Sequence, residues 1–111
     1  FQLLLQLHHA FSKKIYDVIG AGVGIIESVP AAVSIAYYTQ DPNKCCLMCA
    51  NLGGDTDTIG AMATAICGAF VGYSKINPEY TELLRVQNPE TDFEEYINIL
   101  EKGRELLGCG R

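Results

Sequence analysis

The feature that most constrains this chain is a glycine pair and two aspartates placed directly before a long apolar stretch. Residues 53–58 read Gly-Gly-Asp-Thr-Asp-Thr, and the apolar stretch follows over residues 59–73. Glycine adopts backbone conformations that other residues resist, so the pair predicts a hinge between two helices. Asp55 is suited to cap the second helix, because its carboxylate can accept hydrogen bonds from the free N–H groups of the first turn.

Asp55, Asp57 and Thr58 bring three hard oxygen donors to the start of this helix. Their oxygens can converge on one point, because the cap residue lies outside the helical backbone. Two carboxylates and a hydroxyl suit Mg²⁺ or Mn²⁺, whereas they do not suit metals that prefer Cys or His ligands. The alternative is an ordinary capped helix with one additional acid, since a cap by itself stabilises a helix by about 0.5–2 kcal/mol.

Small residues recur along the apolar helix at every fourth position. They are Gly60, Thr64, Gly68 and Gly72, and because four residues is close to one turn they form a stripe. A glycine inside a helix costs roughly 1 kcal/mol relative to alanine, which indicates close approach by another backbone or a ligand. The other faces are also apolar, so the helix is predicted to be buried on nearly every side. Two acids in the first turn of a buried helix require a cation or hydrogen-bond donors, which favours the metal site.

The composition narrows the class of protein. The chain has 111 residues and a formal net charge of −5, which fits one small domain and argues against a nucleic-acid-binding surface. Its longest apolar run is shorter than the roughly 20 residues of a membrane-spanning helix, so no membrane partner is expected. The five cysteines are odd in number and lack the spacing of a disulfide framework, so a cytoplasmic protein is expected. Cys45, Cys46 and Cys49 have no second Cys/His pair at zinc-finger spacing, which favours small buried side chains over zinc ligands.

Helical periodicity runs through the whole chain and predicts an all-α fold. Ser28 is predicted to cap the second helix, Asp41 followed by Pro42 the third, and a Thr91–Glu94 capping box the last. The predicted helices cover residues 1–19, 29–38, 44–51, 55–74 and 78–85, with a last one that begins near residue 91.

Two blocks of sequence, in this order along the chain, carry a family resemblance. Residues 20–32 read Gly-Ala-Gly-Val-Gly-Ile-Ile-Glu-Ser-Val-Pro-Ala-Ala, and residues 51–61 read Asn-Leu-Gly-Gly-Asp-Thr-Asp-Thr-Ile-Gly-Ala. Together they resemble the C-terminal signature of the ADP-ribosylglycohydrolases, the family of dinitrogenase-reductase-activating glycohydrolase and the ADP-ribosyl-acceptor hydrolases. The resemblance covers about residues 20–80, and it implies the C-terminal helical part of an orthogonal multi-helix domain.

The resemblance implies hydrolysis of the N- or O-glycosidic bond that joins ADP-ribose to a protein side chain or another acceptor. By this resemblance, Asp55, Asp57 and Thr58 form the C-terminal half of a site for two Mg²⁺ or Mn²⁺ ions. Gly22 and Val23 lie where the family meets the adenosine side of ADP-ribose. The resemblance assigns no catalytic residue within this chain.

The family's catalytic domain is longer and begins with a Thr/Ser-Asp-Asp metal motif, which this sequence lacks. Residues 1–111 are therefore expected to be a C-terminal fragment of a single domain, and to be inactive alone. The expected partners are ADP-ribose or an ADP-ribosylated substrate, and either the missing N-terminal half or a second copy. Two alternatives stay open: a non-catalytic, crystallin-like member, and a helical interaction protein that packs through its small-residue stripe. Glu27 is expected to be structural, although a carboxylate near apolar surroundings can also act as a general acid or base.

Overall fold

The computed structural model of the chain describes residues 2–108, apart from the side chains of Leu4 and Leu5. These residues form six α-helices and one short 3₁₀ helix, and no strand occurs among them, so the all-α prediction is confirmed. None of the described helices combines the length and the apolar character needed to cross a bilayer. The helices are α1 (Gln2–Val18), α2 (Ile25–Thr39), α3 (Pro42–Ala50), α4 (Thr56–Val71), α5 (Pro78–Gln87) and α6 (Phe93–Leu106), and the 3₁₀ helix is Tyr73–Lys75.

Contacts between residues divide the chain into two compact units, with the division between Ile76 and Asn77. The first unit contains α1 to α4, and within it α4 packs chiefly against α3 and α2. The second unit contains α5 and α6, and neither helix has a buried residue among those described. The candidate site lies wholly within the first unit. That the chain is the C-terminal part of a single domain stays a prediction.

Small side chains form the core of the first unit. Its largest fully buried side chains are Ile35, Ile59, Cys45, Cys49 and Cys67. Because alanine and cysteine occupy so many of the contact positions, α2, α3 and α4 can approach one another closely while the interior stays filled. The rest of the core consists of Ile15, Ala21, Ala31, Ala32, Ala36, Met48, Leu52 and Ala63.

Helix α1 packs on α2 through aromatic rings. Phe11 stacks on Tyr38 with 3.9 Å between the ring centroids, and His8 meets the same ring edge-on at 5.9 Å. Edge-on and offset-stacked contacts are the arrangements that aromatic side chains prefer. His8 is therefore a packing residue in this structure, and α1 holds the loop that follows it against the core.

Helix α2 begins before its predicted start at Val29, because Gly24 is its N-cap and accepts a hydrogen bond from the Ser28 N–H at 2.9 Å. Ser28 is buried inside the helix, so the prediction that it caps the helix was wrong. A helix that began at Val29 would have Pro30 in its first turn, where proline is tolerated. In the structure it lies further inside and removes the hydrogen bond to the Ile26 carbonyl. Ile26 is exposed, so water can occupy that carbonyl instead.

The cap predicted for α3 is confirmed. The Asp41 side chain accepts hydrogen bonds from the N–H groups of Asn43 and Lys44, at 2.9 and 3.4 Å, and Pro42 is the first helical residue. Asp41 satisfies N–H groups that have no partner within the helix, and proline there lacks the N–H that would otherwise be left over. These local signals fix where α3 starts.

The capping box predicted for α6 was wrong by one residue. Asp92, not Thr91, is the N-cap, and its carboxylate accepts from the Glu95 N–H at 3.0 Å. Glu94, which the prediction assigned to the box, instead pairs with Arg85 of α5 at 2.7 Å. An ion pair with an arginine competes directly for the carboxylate that a capping box needs.

Helix α4 ends at Val71, short of the predicted residue 74, because Gly72 adopts φ +89° and breaks the helical path. The prediction that α4 is buried on nearly every side was wrong. Its buried residues, Ile59, Ala63 and Cys67, lie at four-residue intervals on one face. The physical reason is that α2 and α3 both pack on that face. Among the described residues the other sides are uncovered, and Phe70 is 73% exposed.

The small-residue stripe on α4 is in close contact at only one of its glycines. A Cβ at Gly60 would lie 3.3 Å from the Cβ of Cys49, which is a tight contact across α3 and α4. At Gly68 and Gly72 no described atom lies within 4 Å of the added carbon. Within the described part of the chain nothing packs closely on these two positions, and contact there with a ligand or a partner stays a prediction.

Candidate functional site

The two sequence blocks meet in space at their loops. We call residues 19–24, which join α1 to α2, the glycine loop, and residues 51–55, which join α3 to α4, the aspartate loop. The Asp55 N–H donates a hydrogen bond to the Ala21 carbonyl at 2.7 Å. The side chains of Ala21 and Leu52 are buried, so each loop is anchored in the core. No residue pattern in the sequence predicts this contact.

The glycine pair of the aspartate loop allows this close approach. Gly54 has φ +71°, a conformation that side chains resist, and a Cβ there would overlap the Ala21 carbonyl oxygen. Gly53 has φ +87°, and its added Cβ would lie 3.4 Å from the Tyr16 ring of α1. Glycine is therefore required at Gly54 both for the turn and for the contact with the glycine loop.

Glu27, in the first turn of α2, lies against the glycine loop. Its Oε2 accepts a hydrogen bond from the Gly22 N–H at 2.7 Å. A Cβ at Gly22 would lie 2.8 Å from the same oxygen, and one at Gly20 would overlap it. The carboxylate thus occupies the space that two absent side chains leave open. This contact agrees with the structural role that the sequence favoured for Glu27.

Asp55 and Asp57 come together at the start of α4. Asp55 occupies the N-cap position but makes no side-chain hydrogen bond to the helix, so the expectation that its carboxylate caps α4 was wrong. Its carboxyl group instead neighbours Asp57. The pKa of Asp57 lies below its ordinary value, because hydrogen bonds from the Asp55 side chain and from the N–H groups of Thr58 and Asp57 favour its charged form. Asp57 is exposed, so the acid pair faces solvent.

The acid pair fits part of the coordination sphere of a hard cation. Two adjacent carboxyl groups that are not used for capping offer oxygen ligands of the kind that Mg²⁺ and Mn²⁺ take. Thr58 is exposed in the same first turn. No group of three or more His, Cys, Asp or Glu side chains in residues 2–108 is arranged to hold a metal ion. Because Mg²⁺ demands near-octahedral coordination, the oxygens of Asp55, Asp57 and Thr58 are too few for a complete site, and their role as metal ligands stays a prediction.

Gly22 and Val23 lie on the glycine loop, one and two residues beyond the carbonyl that contacts the aspartate loop. Val23 is 85% exposed, so the outer side of the loop is open to a ligand. The predicted substrate-binding residues thus lie on the glycine loop, and the predicted metal-binding residues lie at the end of the aspartate loop and in the first turn of α4. The two loops share a backbone hydrogen bond. Their assignment as ligand contacts stays a prediction.

The cysteines lie apart from these loops. Cys45, Cys49 and Cys67 are buried where α2, α3 and α4 meet, as expected of small core side chains, whereas Cys46 is exposed. All four are free thiols. Cys109 lies outside the described residues.

Comparison with known proteins identifies the family. The sequence profile of the ADP-ribosylglycohydrolases matches residues 2–107. The chain belongs to the ADP-ribosylglycohydrolase family. The predicted resemblance is therefore confirmed, and the match extends well beyond the two blocks that suggested it.

Relatives of this ADP-ribosylglycohydrolase chain are considerably longer. The uncharacterized protein YegU of Escherichia coli K12 is 52% identical over 95 residues, covering 85% of this chain and 28% of YegU. The human ADP-ribosylhydrolase ARH3 is 31% identical over 84 residues, covering 66% and 23%. The ADP-ribosylarginine hydrolase Tri1 of Serratia proteamaculans is 30% identical over 96 residues, covering 75% and 26%. The chain thus spans about a quarter of the length of these relatives. No solved structure gives a significant match.

Proposed function

We propose that this chain supplies the C-terminal side of an ADP-ribosyl hydrolase site, which cleaves the glycosidic bond between ADP-ribose and an acceptor. The observation that supports this most is the hydrogen bond between Asp55 and Ala21, which holds the acid pair, with Asp57 exposed, beside a loop on which Val23 is exposed. The names of two relatives, ADP-ribosylhydrolase ARH3 and ADP-ribosylarginine hydrolase Tri1, agree with this chemistry.

In this proposal the start of α4 binds the metal ions, and the glycine loop binds the substrate. Asp55, Asp57 and Thr58 hold Mg²⁺ or Mn²⁺ at the mouth of α4, in a complete site that contains two ions. Gly22 and Val23 lie against the adenosine side of ADP-ribose, where the absence of a side chain at Gly22 lets the ligand approach the backbone. When bound, the ions supply polarisation of the ribose hydroxyls and a water or hydroxide nucleophile.

The remaining ligands come from elsewhere, and an apolar groove suggests where that part of the protein packs. Between α2 and α4 lies an open groove of about 320 Å³, lined mainly by Val33, Tyr37, Ile66 and Phe70. Tyr37 is 80% exposed and Phe70 73%. Exposed apolar surface of this kind favours association. We propose that the N-terminal half of the hydrolase domain covers this groove, and self-association of the chain is the competing outcome.

Metal binding and turnover test the proposal together. Asp57→Asn, made in the complete protein that contains this chain, is expected to lower Mn²⁺ affinity by at least about 100-fold, more than removal of a group that only supports a ligand. Hydrolysis should be lost with it, on substrates that carry ADP-ribose on arginine or on serine. Asp92→Asn, at the start of α6, is the matched control, since asparagine is also a good N-cap. The 111-residue chain by itself should bind the ion weakly and hydrolyse nothing.

A non-catalytic interaction protein is the second candidate, and the exposed groove between α2 and α4 favours it. The two candidates differ in what Asp57→Asn does. A structural protein has no hydrolase activity to lose, and Asp57→Asn can change only its stability, which the charged form of Asp57 favours. Thermal unfolding of the metal-free variant, measured beside hydrolysis, separates them. Absence of hydrolysis by the unsubstituted complete protein, with metal present, would end the hydrolase proposal. Hydrolysis retained by a folded Asp57→Asn variant would remove Asp57 from the metal site.

A further inference from the structure

We propose that Glu27 is a positioning residue that holds the glycine loop and the aspartate loop together, and thereby sets the geometry of the acid pair. The inference rests on the proposed function for its effect on metal binding, but the contact itself is independent of that function. It concerns a side chain that the family resemblance assigned to no site.

The Glu27 carboxylate contacts the glycine loop at two of its glycines, Gly20 and Gly22. Oε2 accepts from the Gly22 N–H at 2.7 Å, which is at the short end of the range for an N–H to oxygen hydrogen bond. The same oxygen fills the space next to Gly20 and Gly22, where any added Cβ would collide with it. The glycine loop is therefore fixed on both sides of Ala21 by one carboxylate.

Ala21 connects the glycine loop to the acid pair, Asp55 and Asp57. Ala21 stands between the two glycines, and its carbonyl accepts the Asp55 N–H at 2.7 Å. The direction of this carbonyl depends on the conformation of its neighbours, and Gly20 has φ +95°, where glycine has many alternatives. By restricting the loop, Glu27 restricts the carbonyl. The carbonyl in turn positions the Asp55 backbone, whose side chain neighbours Asp57.

The competing role for Glu27 is general acid–base chemistry. Its carboxylate is engaged by a backbone N–H and pressed against the loop, which suits support of the backbone. The two roles also differ in what they require. Support requires an acceptor with the right reach, so glutamine can replace glutamate. Proton transfer requires an ionisable group, so glutamine cannot.

Four variants of the complete protein that contains this chain test the inference. Glu27→Ala removes the acceptor, Glu27→Asp keeps the charge but shortens the reach, and Glu27→Gln keeps both acceptor and reach. Glu79→Ala is the matched control, because Glu79 is also an acid in the first turn of its helix, α5. It removes a similar interaction with the helix dipole, and Glu79 belongs to the second compact unit, whereas both loops belong to the first.

Hydrogen–deuterium exchange, without metal or nucleotide, tests the contact alone. The Asp55 amide, followed in peptides that span residues 52–58, should exchange at least about tenfold faster in Glu27→Ala and Glu27→Asp, because opening becomes easier. Glu27→Gln and Glu79→Ala should match the unsubstituted protein. Unchanged exchange in both Glu27→Ala and Glu27→Asp overturns the inference. If Glu27→Ala does not fold, Glu27→Asp against Glu27→Gln carries the comparison.

Mn²⁺ titration, followed by electron paramagnetic resonance, tests the effect on the acid pair. Loss of a group that orients a ligand typically costs 10–100-fold in metal affinity, and we expect about tenfold for Glu27→Ala and Glu27→Asp. Glu27→Gln should restore the affinity and the turnover. A glutamine variant that binds Mn²⁺ normally but does not turn over assigns Glu27 to proton transfer and overturns the inference. If the unsubstituted protein binds no Mn²⁺, the proposed function fails, and the exchange measurement still decides the contact.

Discussion

The two ends of α4 have similar sequences and different surroundings. Near its start, Ile59 is fully buried and Gly60 sits against the side chain of Cys49. Near its end, Ile66 is 46% exposed, Phe70 is 73% exposed, and Gly68 has no described neighbour within 4 Å of an added Cβ. Each end contains isoleucine, glycine and alanine in that order, as Ile-Gly-Ala at residues 59–61 and Ile-Cys-Gly-Ala at residues 66–69. The difference therefore comes from what packs on each end and not from composition.

An apolar helix pattern establishes that a helix has faces to bury. It indicates that water is unfavourable on several faces, but it does not say which element covers each face. The start of α4 is covered because α3 and the two joined loops lie next to it. Its outer end faces the groove between α2 and α4, which the described residues leave open.

Replacement of the two isoleucines should give the largest difference between the ends. Ile59→Ala is expected to lower the free energy of unfolding by about 2–5 kcal/mol, because it leaves a cavity among fully buried neighbours. Ile66→Ala should cost less than about 1 kcal/mol, since half-exposed side chains lose little burial. Urea unfolding of the two variants measures this. Equal losses would mean that the outer end is covered in solution, for instance by a second copy.

The helices themselves could be predicted because their signals are local. Asp41 and Pro42 mark the start of α3 whatever packs on it. The start of α2 could not be predicted from local signals. Pro30 is a first-turn signal in isolation, yet burial of Ser28 and the cap at Gly24 extend the helix past it. Tertiary contacts decided that boundary, and no local pattern contains them.

The site residues could be named from the sequence, but their arrangement could not. Asp55, Asp57 and Thr58 were recognised by residue type and by family resemblance, and the structure brings the two acids together. The contact that organises the site is a backbone hydrogen bond from Asp55 to Ala21. Such a bond has no side-chain signature, because every residue except proline can donate it. The glycine at Gly54 was the only local sign of a close approach.

Replacement of two glycines should change stability in opposite directions. Gly54→Ala is expected to cost about 2–3 kcal/mol, from roughly 1–2 kcal/mol of left-handed backbone strain and about 1 kcal/mol for a lost hydrogen bond. Gly68→Ala should instead stabilise by up to about 1 kcal/mol, because alanine favours the helix and the added carbon meets no described atom. Thermal and urea unfolding of both variants test this. A loss of stability in Gly68→Ala would show that something presses on the outer end after all.

The buried thiols between α3 and α4 should make the free energy of unfolding depend on alkaline pH, with a smaller effect than the substitutions above. Hydrogen bonding with Cys49, and then burial, raise the pKa of Cys45 far above 9.0, and burial raises that of Cys67. A group whose pKa is higher in the folded state than in the unfolded chain stabilises the folded state. This stabilisation is complete below the unfolded-state pKa, and it is lost as the pH rises from there to the folded-state pKa. The pKa of Cys49 is lowered by the hydrogen bond from Cys45, which acts in the opposite direction.

Above pH 9 Cys49 is ionised in both the folded and the unfolded state, whereas Cys45 and Cys67 keep protons that the unfolded chain has largely lost. The free energy of unfolding should then fall between pH 9 and 10, by up to about 1.4 kcal/mol per pH unit for each proton that the fold retains. Urea unfolding at several pH values measures the slope. Cys67→Ala should reduce the slope, because it removes one of the two thiols that keep their proton, the one that donates a hydrogen bond to the Ala36 carbonyl. Cys46→Ser, at an exposed position, should leave it unchanged. An unaltered slope in Cys67→Ala would mean that water already reaches this thiol, and that the open end of α4 extends further towards its start than the packing indicates.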